Sequence, residues 1–177
     1  MRRQWIIVAA ILGVLVGGAV IAVRLAPSIF PVEVGARAPA FTAVDLATGD
    51  TVGLDRYRGR VVLLNIWATW CQPCRVEMPS MQRLHEEFGR DSFAIVAVSI
   101  DESDAEGVRA FQREFGLTFD VLQDRTRAIE RIYQTTGVPE SFVLNRSGVI
   151  VKKVIGAHEW DSSTNRELIR RLLAQRE

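Results

Sequence analysis

Cys71 and Cys74 are the side chains of this 177-residue chain best suited to covalent chemistry, and they are its only two cysteines. Gln72 and Pro73 lie between them. They follow the continuous apolar run 61–67, which predicts a strand buried on both faces, and apolar residues at helical spacing come after them. A Cys-x-x-Cys pair where a strand meets a helix favours reversible thiol–disulfide exchange.

The position of each cysteine predicts its role. At the first turn of the helix, Cys71 would lie beside backbone N–H groups without helical partners, and these groups stabilise a thiolate. Cys71 is therefore the predicted nucleophile. Cys74 joins the apolar stripe of the helix, so we expect it to be shielded and to attack the mixed disulfide from within. No histidine lies between the cysteines to stabilise the thiolate further, which favours a reducing enzyme over an oxidising one.

Metal and haem chemistry fit this pair less well. A zinc site would need two more ligands, and the two histidines of the chain, His85 and His158, are not spaced as a ligand pair. Covalent haem attachment needs a histidine directly after the second cysteine, where this chain has Arg75. A disulfide that closes so short a loop would remove little chain entropy, so a purely structural bridge is a poor explanation. The pair is therefore predicted to work without a metal or a cofactor.

Further residues could serve the thiol pair. Glu77 comes one helical turn after Cys74, where a buried carboxylate would have a raised pKa and could shuttle the proton of Cys74. The alternative is an acid stabilised by the helix dipole, and the residues alone leave both open. Trp70, directly before the nucleophile, is interpreted as an apolar platform for substrate, with packing as the alternative. Val138-Pro139, directly before a predicted strand, could carry a cis peptide bond, which position alone does not decide.

The elements that must position these residues form one body. The order of strands and helices predicts a mixed central sheet with helices on both faces. Beyond residue 26 the chain carries 19 basic and 21 acidic side chains, because Arg2, Arg3 and Arg24 precede that point and no acid does. This near-neutral balance argues against nucleic-acid binding. The other predicted elements are a hairpin over 41–54, a buried strand over 93–100, a helix capped by Ser103 and Glu106, a short strand over 119–122, a short helix over 126–133, a hairpin over 141–155 and a closing helix over 161–175.

The N-terminal end predicts a membrane anchor. Residues 5–23 carry no charge, and at ~1.5 Å rise per residue a helix of this length spans roughly 28 Å, close to the apolar thickness of a bilayer. Arg2 and Arg3 precede it, so we expect the N-terminus in the cytoplasm and the rest of the chain outside. A cleaved secretory signal is the alternative, and it would export the same domain. The predicted organisation is a transmembrane anchor at 5–25, a linker at 26–37 and a domain at 38–177.

Two motifs and their order resemble a known family. Similarity to the membrane-anchored thioredoxin-like proteins called TlpA, ResA and CcmG is carried by Asn-Ile-Trp-Ala-Thr-Trp-Cys-Gln-Pro-Cys at 65–74, by Glu77 and Pro79 behind it, and by Gly-Val-Pro-Glu-Ser-Phe at 137–142. The likeness extends from 35–41 to 156–161. It implies an α/β thioredoxin-like fold, with a mixed central sheet flanked by helices and an N-terminal β-hairpin, after one transmembrane helix.

The resemblance implies roles that spacing left open. Pro139 is implied to be a cis-proline that faces the thiol pair, and Val138 to offer its backbone to an extended substrate by strand addition. Glu77 matches the acidic residue that the family places behind the second cysteine. Asn65 stands where cytoplasmic thioredoxins carry a buried aspartate, and since an amide cannot take a proton, proton handling would fall to Glu77. Glu140 matches an acidic position in part of the family, and we interpret it as a solvated charge at a strand edge.

The function implied by the resemblance is that of a disulfide reductase outside the cytoplasmic membrane. Such enzymes reduce chosen disulfides, notably that of apocytochrome c before haem attachment, and take electrons from an integral-membrane thiol carrier of the CcdA or DsbD type. Two alternatives stay open: a general thiol oxidase or isomerase, and a copper-binding accessory module for oxidase assembly that would recruit His158. A thiol peroxidase is disfavoured, because Ala68 and Leu64 stand where those enzymes normally carry a threonine and a proline.

Overall fold

The computed structural model describes residues 2–29, 32–89 and 92–175, and the chain divides into two compact units. The first unit holds one long helix, α1 (Arg2–Ile29). Its segment Gln4–Ala22 has 19 residues, so by length and composition this helix could cross a membrane. The second unit begins at Val32 and contains the cysteine pair.

A single mixed sheet organises the second unit. Over its described residues the strands are β1 (Thr42–Asp45), β2 (Thr51–Gly53), β3 (Val61–Trp67), β4 (Phe93–Ser99), β5 (Asp120–Gln123), β6 (Glu140–Leu144) and β7 (Ile150–Ile155). Their order in the sheet is β2-β1-β5-β4-β3-β6-β7. β3, β4 and β5 run parallel, and the other neighbouring pairs are antiparallel. The predicted mixed sheet and its N-terminal hairpin, β1 with β2, are confirmed.

Helices cover this sheet. They are α2 (Gln72–Phe88), α3 (Ala105–Glu114), α4 (Ala128–Tyr133) and α5 (Ser163–Ala174), with a short 3-10 helix at Leu54–Tyr57. α2 packs against β4, α3 against β5 and α5 against β3. The predicted helix after the cysteines is confirmed, and the residues of its apolar stripe that are wholly buried are Cys74, Met78, Met81 and Leu84.

The strand topology explains why distant motifs meet. Every residue of β3 and β4 is buried, and since alternate side chains point to opposite faces, both faces of these strands are covered. β3 and β4 are parallel, so their carboxyl ends lie at the same edge of the sheet. β6 starts at that edge, because Ile66 of β3 pairs with Glu140. The residues after β3, after β4 and before β6 therefore come together there.

α3 begins with a different cap from the predicted one. The Asp104 carboxylate, not Ser103, accepts the N–H of Glu106, at 3.0 Å, and Asp104 has the extended backbone of an N-cap. The carbonyl of Ser103 instead accepts a hydrogen bond from the Gln123 side chain at 3.1 Å. Both residue types can cap a helix, so only the conformation of the preceding loop decides which one does.

Residues 32–37, the second half of the predicted linker, pack against the sheet. Val32 is only 4% exposed. The N–H of Gly35 donates to the Ile150 carbonyl at 2.8 Å, and the N–H of Ile150 donates to the Ala36 carbonyl at 2.9 Å. β7 is an edge strand whose outer backbone groups need partners, and this segment supplies them at one end. The structure therefore differs from a free linker at these positions.

Candidate active site

The two cysteines form a disulfide at the start of α2. Cys71 is the N-cap residue, with an extended backbone, and its Sγ accepts the N–H of Cys74 at 3.1 Å. A helix N-terminus stabilises negative charge, because its first N–H groups have no helical partner. The N–H that contacts Sγ in the disulfide is therefore also placed to stabilise a thiolate of Cys71 after reduction.

The two cysteine residues differ in exposure. The residue Cys71 is 4% exposed, whereas Cys74 is wholly buried. Large apolar side chains near Cys71 in the sequence face solvent: Trp70 is 64% exposed, and Val76, in the first turns of α2, is 68% exposed. Exposed apolar surface beside a reactive group is typical of a protein-binding site. The more exposed cysteine is thus the one predicted to attack.

A buried aspartate holds the segment that leads into Cys71. Asp101, 4% exposed, accepts the backbone N–H of Thr69 at 2.9 Å and its hydroxyl at 2.6 Å. The hydroxyl of Ser99 donates to the same carboxylate at 2.6 Å. Asp101 is not among the predicted site residues. Its position in the sequence could have indicated this role, because Asp101 follows the buried strand β4, and the carboxyl end of β4 lies beside that of β3.

Glu77 is a buried carboxyl on α2, one helical turn beyond Cys74, and is only 2% exposed. Its Oε1 accepts a hydrogen bond from the Asn65 amide at 2.8 Å. Its Oε2 accepts the backbone N–H of His158 at 3.2 Å and the indole N–H of Trp160 at 3.3 Å. Burial raises the pKa of Glu77 to about 7, although these hydrogen bonds favour the charged form and oppose the rise. Such a carboxyl can accept and release a proton near neutral pH.

Separate parts of the chain supply the groups around Glu77. Asn65 lies on β3, and its amide also donates to the hydroxyl of Ser141, directly opposite on β6, at 2.8 Å. Trp160 follows β7 and is held by its own backbone N–H, which donates to the Ser80 hydroxyl at 2.9 Å. Ser141 and Trp160 are absent from the predicted site, although both fall within motifs that carry the family resemblance.

The Val138-Pro139 peptide bond is cis and lies directly before β6. Pro139 is buried and Val138 is half-buried. The Pro139 carbonyl accepts the N–H of Gly156 at 2.8 Å, which ties this loop to the end of β7. The cis geometry implied by the resemblance is therefore confirmed, and the loop lies at the edge of the sheet that carries the thiol pair.

Glu140 is not the solvated strand-edge charge that the sequence suggests. It is 0% exposed, on a strand that lies between β3 and β7. Its Oε1 lies 3.1 Å from the Lys153 ammonium, and its Oε2 accepts the N–H of Thr136 at 3.3 Å. β7 pairs along β6 and makes it an inner strand, so a carboxylate there leaves water and needs a cation.

His158 contacts Glu77 through its backbone, while its ring makes other contacts. The ring packs on Trp160 with centroids 4.9 Å apart, and its Nε2 lies 3.3 Å from the Lys152 ammonium. Burial and the charge of Lys152 lower the pKa of His158. A cation this close disfavours the ring as a copper ligand. Across 2–29, 32–89 and 92–175, no group of three or more His, Cys, Asp or Glu side chains could hold a metal ion.

Comparison with known proteins decides the family. Residues 34–153 match the family model described as AhpC/TSA family. The chain belongs to the AhpC/TSA family. It is 36% identical over 124 residues, 70% of either chain, to the thiol-disulfide oxidoreductase ResA of Bacillus thuringiensis (strain Al Hakam). It is 40% identical over 121 residues, 67% of this chain and 69% of the other, to the thioredoxin-like protein YneN of Bacillus subtilis (strain 168).

Solved structures of similar proteins have the same fold as this AhpC/TSA-family member. A protein described as thiol:disulfide interchange protein DsbE from Chlorobium tepidum has a TM-score of 0.72 and 28% identity, covering 80% of this chain and 99% of its own. StoA from Bacillus subtilis has a TM-score of 0.60 and 27% identity, covering 75% and 96%. The thioredoxin-like fold is confirmed. Together with the Cys71–Cys74 pair, these relatives make the protein a thiol–disulfide oxidoreductase.

Proposed function

We propose that this protein reduces protein disulfides outside the cytoplasmic membrane, with Cys71 as the nucleophile and Cys74 as the resolving thiol. The observation that carries the proposal is the buried Glu77 carboxyl, one turn beyond Cys74, with a pKa of about 7. Cys74 lies in an apolar environment that disfavours its thiolate, so its attack requires a nearby proton acceptor. Glu77 can take that proton at neutral pH.

The chemistry consists of two thiol–disulfide exchanges. The Cys71 thiolate attacks one sulfur of the substrate disulfide, which forms a mixed disulfide and releases the other substrate sulfur as a thiolate. Glu77 then takes the proton of Cys74, and the Cys74 sulfur attacks Sγ of Cys71. The second substrate sulfur leaves, and the Cys71–Cys74 disulfide closes. Two electrons have then passed from the enzyme dithiol to the substrate.

Trp70, Val138 and Pro139 are assigned to substrate binding. The exposed indole of Trp70 offers apolar surface beside the nucleophile. Val138 lies in the loop directly before β6, at the edge of the sheet where β3 leads into the thiol pair, so its backbone can pair with an extended peptide by strand addition. A peptide bound in this way would present a cysteine to Cys71. The disulfide of apocytochrome c, reduced before haem attachment, is the proposed client.

The proposed location sets the source of electrons. The apolar segment Gln4–Ala22 of α1 supports a membrane span, and Arg2 and Arg3 before this segment favour a cytoplasmic N-terminus. The catalytic unit would then lie on the extracytoplasmic side, where thiols tend to be oxidised. An integral-membrane thiol carrier of the CcdA or DsbD type is the proposed donor that reduces Cys71–Cys74 after each turnover.

Trapping of clients tests the proposed nucleophile. In Cys74→Ala the resolving thiol is absent, so mixed disulfides through Cys71 should persist and can be identified by mass spectrometry after non-reducing electrophoresis. The control is Cys71→Ser/Cys74→Ala, which should trap nothing. Recovery of apocytochrome c supports the maturation role. Equal trapping by the control would contradict the assignment of Cys71.

The direction of the reaction has its own test. The reduction potential of the Cys71–Cys74 pair is measured by equilibration with glutathione buffers. A value towards about −270 mV supports a reductase, whereas a value near about −120 mV would favour an oxidase and contradict the proposal.

A further inference from the structure

A cavity of about 830 Å³ lies at the other end of the sheet from the cysteine pair. Val62, at the start of β3, lines the cavity, whereas Cys71 follows the end of the same strand. At ~3.3 Å per residue, β3 places roughly 17 Å between Val62 and Trp67. The cavity is therefore separate from the redox site. Its volume lies within the range of roughly 300 to 1,000 Å³ that is typical of small-molecule sites.

Arginines dominate the charge of this cavity. Among the described residues that line it are Arg37, Arg58, Arg60 and Arg146, with Asp55 as the one acid. A concave surface of one charge sign concentrates ions of the opposite sign. The cavity therefore favours an anionic ligand.

Backbone carbonyls, which carry no formal charge, hold two of these guanidinium groups. Arg37 donates to the Ser147 carbonyl at 2.9 Å. Arg146 donates to the Gly59 carbonyl at 2.9 Å and to the Leu173 carbonyl at 3.2 Å. These contacts orient the guanidinium groups without cancelling their charge.

In the part of the chain that the structure describes, no ion pair with a carboxylate involves Arg37, Arg58 or Arg146. Their positive charge is therefore available to a ligand.

We propose that this cavity binds a phosphate-bearing organic ligand. The planar donor fork of arginine matches phosphate oxygens, and two oriented guanidinium groups line this cavity together with the exposed Arg58. Phe41 and Leu54 also line the cavity and offer apolar surface to the remainder of the ligand. The phosphate can belong to a soluble ester or to a lipid headgroup. A lipid headgroup is included as a source because only a short stretch of sequence separates Arg37 from α1.

Arginine footprinting of the full-length chain tests the proposal. Phenylglyoxal modifies accessible guanidinium groups, and mass spectrometry reports the extent at Arg58 and Arg146. The reference is Arg171, which is exposed and lies outside the cavity. One arm uses uncharged maltoside micelles with increasing inorganic phosphate or glycerol phosphate. The other arm compares phosphate-free micelles with nanodiscs of phosphatidylglycerol.

Each result of the footprinting has a definite meaning. Selective protection of Arg58 and Arg146 by dissolved phosphate or glycerol phosphate supports a soluble ligand. Selective protection in nanodiscs alone supports a lipid headgroup. Absence of protection in both arms, or equal protection of Arg171, overturns the proposal.

A pair of matched variants sharpens the test in whichever arm shows protection. Arg58 is exposed, so Arg58→Gln should fold, and Arg171→Gln is its control. Loss of one charge-assisted hydrogen bond should raise the concentration that half-protects Arg146 about tenfold or more in Arg58→Gln and leave it unchanged in Arg171→Gln. Equal values in the two variants would reject the site. Disulfide reduction should be unaffected in both, so the result is independent of the proposed function.

Discussion

At the scale of single residues, Glu77 shows how burial and hydrogen bonding compete. Burial disfavours its charged form, and the N–H groups of Asn65, Trp160 and His158 favour that form. The balance leaves the pKa at about 7, well above the ordinary value for a glutamate. The carboxyl is thus tuned by its surroundings to exchange protons at neutral pH.

Glu77→Gln should change how stability depends on pH. In the folded state the pKa is about 7, against 4.5 for the ordinary side chain, so folding binds a proton between these values. Protonation of Glu77 therefore contributes about 3 kcal/mol to the free energy of unfolding. This contribution is complete below pH ~4.5 and is lost as the pH rises through ~7. We therefore compare the free energy of unfolding of Glu77→Gln with that of the wild type. The difference should favour the variant more at pH 8 than at pH 4.

Urea denaturation of the oxidised protein at both pH values measures this difference. Glu167→Gln is the control, because Glu167 is exposed. An equal effect of Glu77→Gln on stability at the two pH values would contradict the raised pKa. During turnover, the same substitution should slow the attack of Cys74 on the mixed disulfide between Cys71 and the substrate at neutral pH.

Trp160→Phe should raise the pKa of Glu77 further, because it removes an indole N–H that donates to the charged carboxylate. Trp67→Phe is a matched control: Trp67 is 0% exposed, and its indole N–H has no hydrogen-bond partner among the described residues. Both substitutions reduce packing. An NMR titration of the Glu77 carboxyl carbon should give a higher pKa for Glu77 in Trp160→Phe than in the wild type, and an unchanged pKa in Trp67→Phe. An equal shift in the control would assign the effect to packing.

At the scale of elements, a buried ion pair joins the inner strand β6 to the edge strand β7. The Lys153 ammonium lies 3.1 Å from Oε1 of Glu140 and donates to the Val32 carbonyl at 3.2 Å. Lys153 thus connects three parts of the fold: β6, which follows Pro139, β7, on which Lys153 lies, and the start of the second unit. Its loss would affect all three.

Lys153→Met should destabilise the protein by about 3 kcal/mol, because it leaves the carboxylate of Glu140 buried without its cation. Adding Glu140→Gln should recover most of this loss, since the unpaired charge is then removed. Free energies of unfolding for the wild type, both single variants and the double variant form a double-mutant cycle. Additive effects would show that the two side chains do not interact.

At the scale of the whole molecule, the body begins at Val32, before the predicted boundary at residue 38. A variant that starts at Val32 keeps its burial and the backbone bonds of Gly35 and Ala36 to β7. A variant that starts at Pro39 loses these contacts and should be less stable by roughly 3 kcal/mol. Thermal unfolding followed by circular dichroism compares the two variants. Equal stability would show that residues 32–38 contribute nothing to the body.

The sequence is most informative where contacts are local. The strand at Val61–Trp67 and the helix that follows it are predicted from periodicity, because a run of apolar residues or a helical stripe reports burial directly. The cap of α3 is less certain from sequence, because Ser103 and Asp104 are both competent and only the loop conformation selects one. Asp101 is missed, since an isolated acid carries no periodic signal.

The sequence by itself determined the chemistry available to this protein: two thiols at the junction of a strand and a helix, within motifs of a recognisable family. Only the tertiary structure decided how that chemistry is tuned. Trp160 lies 83 positions from the carboxyl it contacts, and the burial of Glu140 depends on β7 pairing beside it. Burial and long-range hydrogen bonds set the pKa of a side chain, and neither exists until the strands and helices have packed.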